Sequence, residues 1–384
     1  MFGTSTRQSG VFPRKSAKAK RANVRNRIRP RFDWLEGRVV LSTFRVNTAL
    51  DTVAVDLRRG KDATGHVSLR SAIMAANAQA GPHTIILPRG VFRLTIAGAG
   101  EDAGLTGDLD ITRNVTIKGK GASRTIIDGN NLDRVLDVHG VKLSLSNLTV
   151  QRGFVTGSGG GIRNLGRLGL ASVQVRNNIA NGARGADGLN GTTANPAGTA
   201  GGNGTDAYGG GIFNAGLLVL SRSVLTGNQA IGGNGGDGGA GNSVSGNAGS
   251  LGANGQSVTG GDGGAGGQGG NGFGGGIANL GGATLRVTAS TFQDNAAVGG
   301  RGGAGGIGGD ANAGVGGNDD GSVSGGVGSG GTGTAGNGGT GGSSGSGIGG
   351  GLFNVGRAVF NGGSSSLTSN TATGRVGGDG GIGG

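Results

Sequence analysis

The sequence predicts an all-β fold, a parallel β-helix in which short strands stack as rungs of a solenoid, and three observations predict it. The first is a block that recurs four times: GGGIRNLG at Gly159, GGGIFNAG at Gly209, GGGIANLG at Gly274 and GGGLFNVG at Gly349. Self-similarity on this scale means that a unit too small to bury its own apolar face buries it by stacking. The second is the spacing within the unit. Leu168, Leu218, Ala283 and Ala358 align as one column, and Leu170, Leu220, Leu285 and Phe360 as another two residues on. A two-residue step is the side-chain period of a strand, not of a helix. A further column, Val175, Leu225, Phe292 and Leu367, marks a second strand beyond a turn. The third observation is polar: Asn164, Asn214, Asn279 and Asn354 sit in the blocks, and Asn178, Asn228, Asn295 and Asn370 follow downstream. Asn tolerates the left-handed conformation of tight corners, and stacked amides can hydrogen-bond from rung to rung. Both sets read as structural ladders.

Composition divides the 384 residues into three segments. Residues 1–42 are a basic tail: the first forty carry eleven Lys or Arg against Asp33 and Glu36. With no apolar periodicity, this tail is expected to be disordered. Residues 43–156 hold short β runs and one helix, and should form an N-terminal cap and the first coils. Ser68 is the expected N-cap of that helix, with Leu69, Ala72, Ile73 and Ala76 on one face and Gly81 just past its end. Its expected role is to shield the open end of the solenoid. Residues 43–56 read as one or two strands. Residues 157–384 hold the repeats and 82 of the 98 Gly.

Two resemblances attach to particular residues. RPRFDWLEGRVVLS, Arg29 to Ser42, resembles the LEPR-XLL motif of bacterial surface and exported proteins, with Gly37 where Pro is usual. The resemblance implies export, hence a secreted or cell-surface location. VSLRSAI, AAN, TIILPRGVFRLT, GDLDI, VTIKGKG and TIIDG, in that order, resemble the bacterial CSLREA-type domain. That domain leads into right-handed parallel β-helix coils of the pectate-lyase-like superfamily, so the resemblance implies the same fold here. Val67 stands for the usual Cys and Ser71 for the usual Glu, which leaves neither of those side chains a role.

Between the repeats lie Gly-rich insertions at 181–208, 231–273 and 298–348. Their GG-x triplets, clearest from Gly260 to Gly272, have the three-residue period of an extended polyproline-II-like helix. Such helices pack closely only where no Cβ intervenes. Collagen is disfavoured, because Pro196 is the only Pro after residue 88. The runs resemble Gly-rich surface proteins of the PGRS type in composition. A flexible linker is the alternative, and the sequence leaves both open. The chain reaches Gly384 inside a fresh GG-x run, read as a frayed end or a fragment lacking a cap or anchor.

Candidate chemistry is sparse. There is no Cys, so thiol chemistry and disulfides are excluded. From residue 157 onward nine Arg balance nine Asp, with no Lys, Glu or His. Nucleic-acid binding asks for a basic body, and this one is neutral overall. Polysaccharide-cleaving β-helices need titratable pairs on adjacent rungs; the motifs NTD, GHG and RIK are absent. The nearest carboxylate cluster, Glu101, Asp102, Asp108 and Asp110, reads as a turn and strand, although Asp128 or Asp137 could complete a pair across rungs. His66, His83 and His139 have no metal-site spacing. GGNGTDAY at Gly201 fits the calcium-binding β-roll nonapeptide once, which makes Asp206 a calcium candidate. No other cofactor is expected. Asn147 heads a glycosylation sequon. Trp34 and Tyr208 are the only Trp and Tyr, so sugar-stacking surfaces should be scarce. No apolar run is long enough for a transmembrane helix. The expected function is non-enzymatic: adhesion or envelope or matrix structure, with surface glycans or other surface proteins as partners. The alternative is a carbohydrate-binding or polysaccharide-degrading protein.

Overall fold

The computed structural model describes residues 42–317 and 328–384. The basic tail, Trp34 and nearly all of the LEPR-XLL-like segment lie outside the described residues. The fold is the expected parallel β-helix. Every rung-to-rung strand pairing is parallel, and the strands stack into sheets of eight, seven, six and five strands. One full rung runs Ile162–Asn164, Arg167–Ala171, Gln174–Arg176 and Ile179–Asn181, each strand entering a different sheet. The compositional change near residue 157 is crossed by all four of these sheets, because the same strand pattern continues through it.

Alternation sets the core. In Leu217–Ser221, Leu218 and Leu220 are fully buried while Val219 faces out. Each such Leu removed from water contributes about 2 kcal/mol of transfer free energy. The pairing corrects one alignment. Leu218 stacks on Leu285, and Leu220 stacks on Val287, so the third unit is shifted by two residues from the expected columns. Gly281 and Gly282 lengthen its turn, and a two-residue insertion preserves which face each side chain takes. Phe292 over Leu225 is as expected.

The Asn ladders form as expected. Asn164, Asn214 and Asn279 each donate Nδ2 to the Oδ1 of the next, ending at Asn354, each at 2.6 Å. Asn178, Asn228 and Asn295 do the same at 2.9 Å, ending at Asn370. The ladder residues themselves do not adopt the left-handed conformation expected of them. The left-handed corner falls on the residue before the second ladder, at Asn177 (φ 53°), Gly227 (φ 64°), Asp294 (φ 53°) and Ser369 (φ 53°). The ladder residues are there for their buried amides.

At the N-terminal end, the strand Thr43–Arg45 is the one regular strand in 43–56. The helix Leu69–Ala78 packs Leu69, Ala72, Ile73 and Ala76 onto the first coils. Ser68 caps it, and Ser71 Oγ accepts the Ser68 N–H at 2.8 Å and donates to the Gly60 carbonyl at 2.8 Å. Ser71 therefore has a role of its own, as the far half of a capping box. Arg70, 1% exposed, pairs with Asp51 at 2.7 Å and donates to the carbonyls of Gly104, Gly107 and Asp108. It fastens the cap to the first rung.

Among the described residues the insertions are ordered, which decides between the two readings left open above. Each is a hairpin of extended legs standing off the solenoid. The outgoing legs are 182–191, 232–241 and 299–309, joined by 377–384; the returning legs are 198–206, 260–271 and 336–346. In a GG-x triplet the first Gly donates to the x carbonyl of the equivalent leg one rung on, as Gly235 does to Arg301 and Gly263 to Asn337. The second Gly donates across the layers, as Gly236 does to Gly202 and Gly264 to Gly239. Where x is Asn or Asp, its side chain accepts the N–H of the x residue above: Asp237 takes Ala304 N at 2.8 Å and Asn203 takes Gln268 N at 2.8 Å. The result is a two-layer polyglycine slab. A Cβ on Gly236, Gly264 or Gly267 would run into a neighbouring backbone carbonyl. On the first outgoing leg the matching positions are Ala183, Ala186 and Leu189, because no leg lies beneath them.

Candidate functional site

The six-stranded sheet begins with Leu109–Ile111, Leu136–Val138 and Ile162–Asn164. Their central residues, Asp110, Asp137 and Arg163, are in register on one outward column. Over them folds the loop 99–107. Glu101 shapes that loop by accepting the N–H groups of Ala103 and Thr106, and Asp110 Oδ2 holds it down by accepting Gly104 N at 3.0 Å. A cleft of about 390 Å³ lies between the loop and the sheet, lined by Asp102, Asp108, Asp133, Arg134, Asp137 and Arg163 among others.

The charges in the cleft are interlocked. Arg134 Nη1 bridges Asp108 at 2.8 Å and Asp137 at 2.9 Å. Arg163 Nε donates to Asp137 Oδ1 at 2.9 Å. His139 Nε2 meets Asp110 Oδ1 at 2.8 Å. Burial pushes the Asp108 carboxyl up to about 7, reinforced by the neighbouring carboxylates and opposed by Arg134. Burial also raises Asp110 and Asp133, against the pull of the His139 hydrogen bond and of the Arg134 backbone N–H respectively. The Asp137 hydrogen bond raises Arg163. Such a set can hold a proton on Asp108 near neutrality, and ligand atoms of Asp102, Asp110 and His139 lie close enough together, within 4.8 Å, to share a cation.

Glu101, Asp102, Asp108 and Asp110 do lie on a turn and strand as expected, and the turn closes over a cleft that spacing alone did not show. Asp137 joins them from the next rung; Asp128 does not. Asp128 lies in the seven-stranded sheet, where it pairs with Arg152 at 2.8 Å and Gln151 at 3.0 Å. His139 enters through rung register, which no linear spacing could show. The other histidines stay apart: His66 Nδ1 meets Thr64 Oγ1 at 2.9 Å in a surface turn, and His83 is buried near Phe44. Asp206 belongs to the slab. Its Oδ1 accepts Asn271 N at 2.6 Å and its Oδ2 accepts the Tyr208 hydroxyl at 3.2 Å, so both carboxylate oxygens have partners there. Tyr208 stacks on Phe273 at 4.7 Å, and Phe273 meets Phe353 at 4.8 Å, so the aromatics gather where the slab rejoins the solenoid.

No family model and no curated protein matches the chain. Among solved structures it is similar to the A-module of a mannuronan C-5 epimerase from Azotobacter vinelandii. The identity is 18% over 66% of this chain and 75% of that one, with a TM-score of 0.22. At that level of superposition the likeness carries no argument about the cleft.

Proposed function

We propose that the protein is a non-enzymatic, exported or cell-surface β-helix protein whose work is structural, in adhesion or in an envelope or matrix. The observation that supports this reading is the polyglycine slab. A flexible tether would have no use for glycine at every position where a second leg approaches, and the glycines fall at those positions. A stack of hydrogen-bonded legs on a solenoid is a stiff plate, and stiffness is the property a spacer or matrix element needs. The LEPR-XLL-like segment supports export. Protease treatment and antibody labelling of intact native-host cells should find the protein outside, and its deletion should weaken cell-to-cell or cell-to-matrix cohesion. A cytoplasmic location, or unaltered cohesion, would sink this reading.

A second reading rests on the cleft, where Asp108 and Asp137, on adjacent rungs, line the cavity as a candidate acid/base pair for a glycan. The interlocking Arg134 and Arg163 favour the structural role, since every buried carboxylate of the trio Asp108, Asp110 and Asp137 already has a partner. A screen of pectin, alginate and neutral glycans tests it. Turnover abolished by Asp108→Asn or Asp137→Asn would promote the enzyme.

A further inference from the structure

The fold sorts charge by face. The eight-stranded sheet contains no Asp or Glu in any of its strands, from Thr43–Arg45 to Arg357–Asn361. Its exposed side carries Arg45, Lys118, Lys142, Arg167, Arg286 and Arg357. None of the six forms an ion pair among the described residues. The cations follow the solenoid axis. Arg45 and Lys118 share one column, while Lys142, Arg167 and Arg357 share another, with Arg286 beside them. Adjacent rungs are about 4.8 Å apart. Between Ser144 and Val219 the column holds Gly169, whose missing side chain opens a shallow groove of about 220 Å³ flanked by Lys142 and Arg167.

From this placement we infer that the outer face of the eight-stranded sheet binds a linear acidic polysaccharide lying along the solenoid axis. Unpaired cations in file over several rungs complement a polymer with one carboxylate per sugar ring, and each contact would release a counterion as it forms. The outward positions are Lys, Arg, Ser, Thr, Asn and small or aliphatic residues, with no aromatic ring. Single-stranded nucleic acid is held by stacking its bases on aromatic platforms, so this face suits a polyanion without bases. The inference goes beyond the structural role proposed above and does not depend on where the protein acts.

The test uses the full chain, so that the basic tail contributes equally to every variant. Binding to polygalacturonate is measured against salt for the wild type, for K142A/R167A/R286A, and for K61A/R58A/R59A, which removes three charges elsewhere. The first variant should bind at least about tenfold more weakly, with a shallower salt dependence, and the second should bind like the wild type. Equal weakening by both variants, or no binding by the wild type, would overturn the inference. So would tighter binding of oligo-dT that is lost with the same three side chains, which would make the face a nucleic-acid surface. Should K142A/R167A/R286A fail to fold, Lys142→Gln alone must still lower the salt slope.

Discussion

Gly267 shows how a single hydrogen atom can be structural. Its amide donates to the Gly236 carbonyl at 2.8 Å, and a Cβ there would strike the Gly202 carbonyl, which is backbone and cannot swing away. Gly267→Ala should therefore destabilise the slab by about 1–3 kcal/mol. Gln268→Ala, at the exposed next position, should be nearly neutral. Hydrogen exchange of the slab amides reads both, and equal protection in the two variants would refute the packing. Asp108 offers a second test at this scale. Its carboxyl is raised from 3.8 to about 7, so between those values the folded chain holds a proton that the unfolded chain releases. Stability from this group is thus greatest below the unfolded value and falls as pH rises toward about 7. Asp108→Asn should shrink the loss of melting temperature between about pH 5 and about pH 8. An unchanged loss would mean that Asp108 ionises normally.

At the scale of elements, the ladders and corners join strands that are individually too short to persist. Asn228 accepts Asn178 Nδ2 at 2.9 Å and donates Nδ2 to Asn295 Oδ1 and the Val175 carbonyl, each at 2.9 Å, with nothing exposed. Asn228→Ala strands the Nδ2 and backbone N–H donors of Asn178 away from water, at a cost of about 3 kcal/mol or more. Asn370, on the last paired rung, is only half-buried, and Asn370→Ala should cost clearly less. Chemical denaturation of both variants checks the order, and a reversed order would contradict the ladder account. The GG-x legs belong to this scale too. Their period was readable, but a lone three-residue period fits both a packed leg and a linker.

For the whole molecule, solenoid and slab are joined at few points, so they should be separable. Joining Ile231 to Gly272 by a short turn removes the middle hairpin, and loop closure over a shorter connection costs little when the ends lie near each other. The β-helix should keep its circular dichroism signal. The first hairpin, 182–206, should become protease-sensitive, because its outgoing leg donates to 231–240 and its returning leg to 262–268. Loss of the β signal would mean that the insertions support the core. Continued protection of 182–206 would mean that each hairpin stands alone.

The repeated blocks, the two-residue apolar step in Leu168 and Leu170, the Asn columns and the Ser68 cap were all legible in the chain, because each expresses a local preference that repeats on every rung. Their message was the fold. The cleft was half legible: Asp108 and Asp110 lie in one short run, but Asp137, His139 and Arg163 arrive from other strands through parallel register, which linear spacing does not encode. The two-residue shift that places Leu285 over Leu218 was hidden for a related reason, since an even insertion leaves the burial pattern unchanged. The basic face was invisible to a charge count, because alternation sends successive side chains to opposite sides and stacking then gathers the outward cations of distant strands. Order in the glycine legs was likewise a tertiary matter: one leg makes no hydrogen bonds of its own, and only neighbours on adjacent rungs supply them.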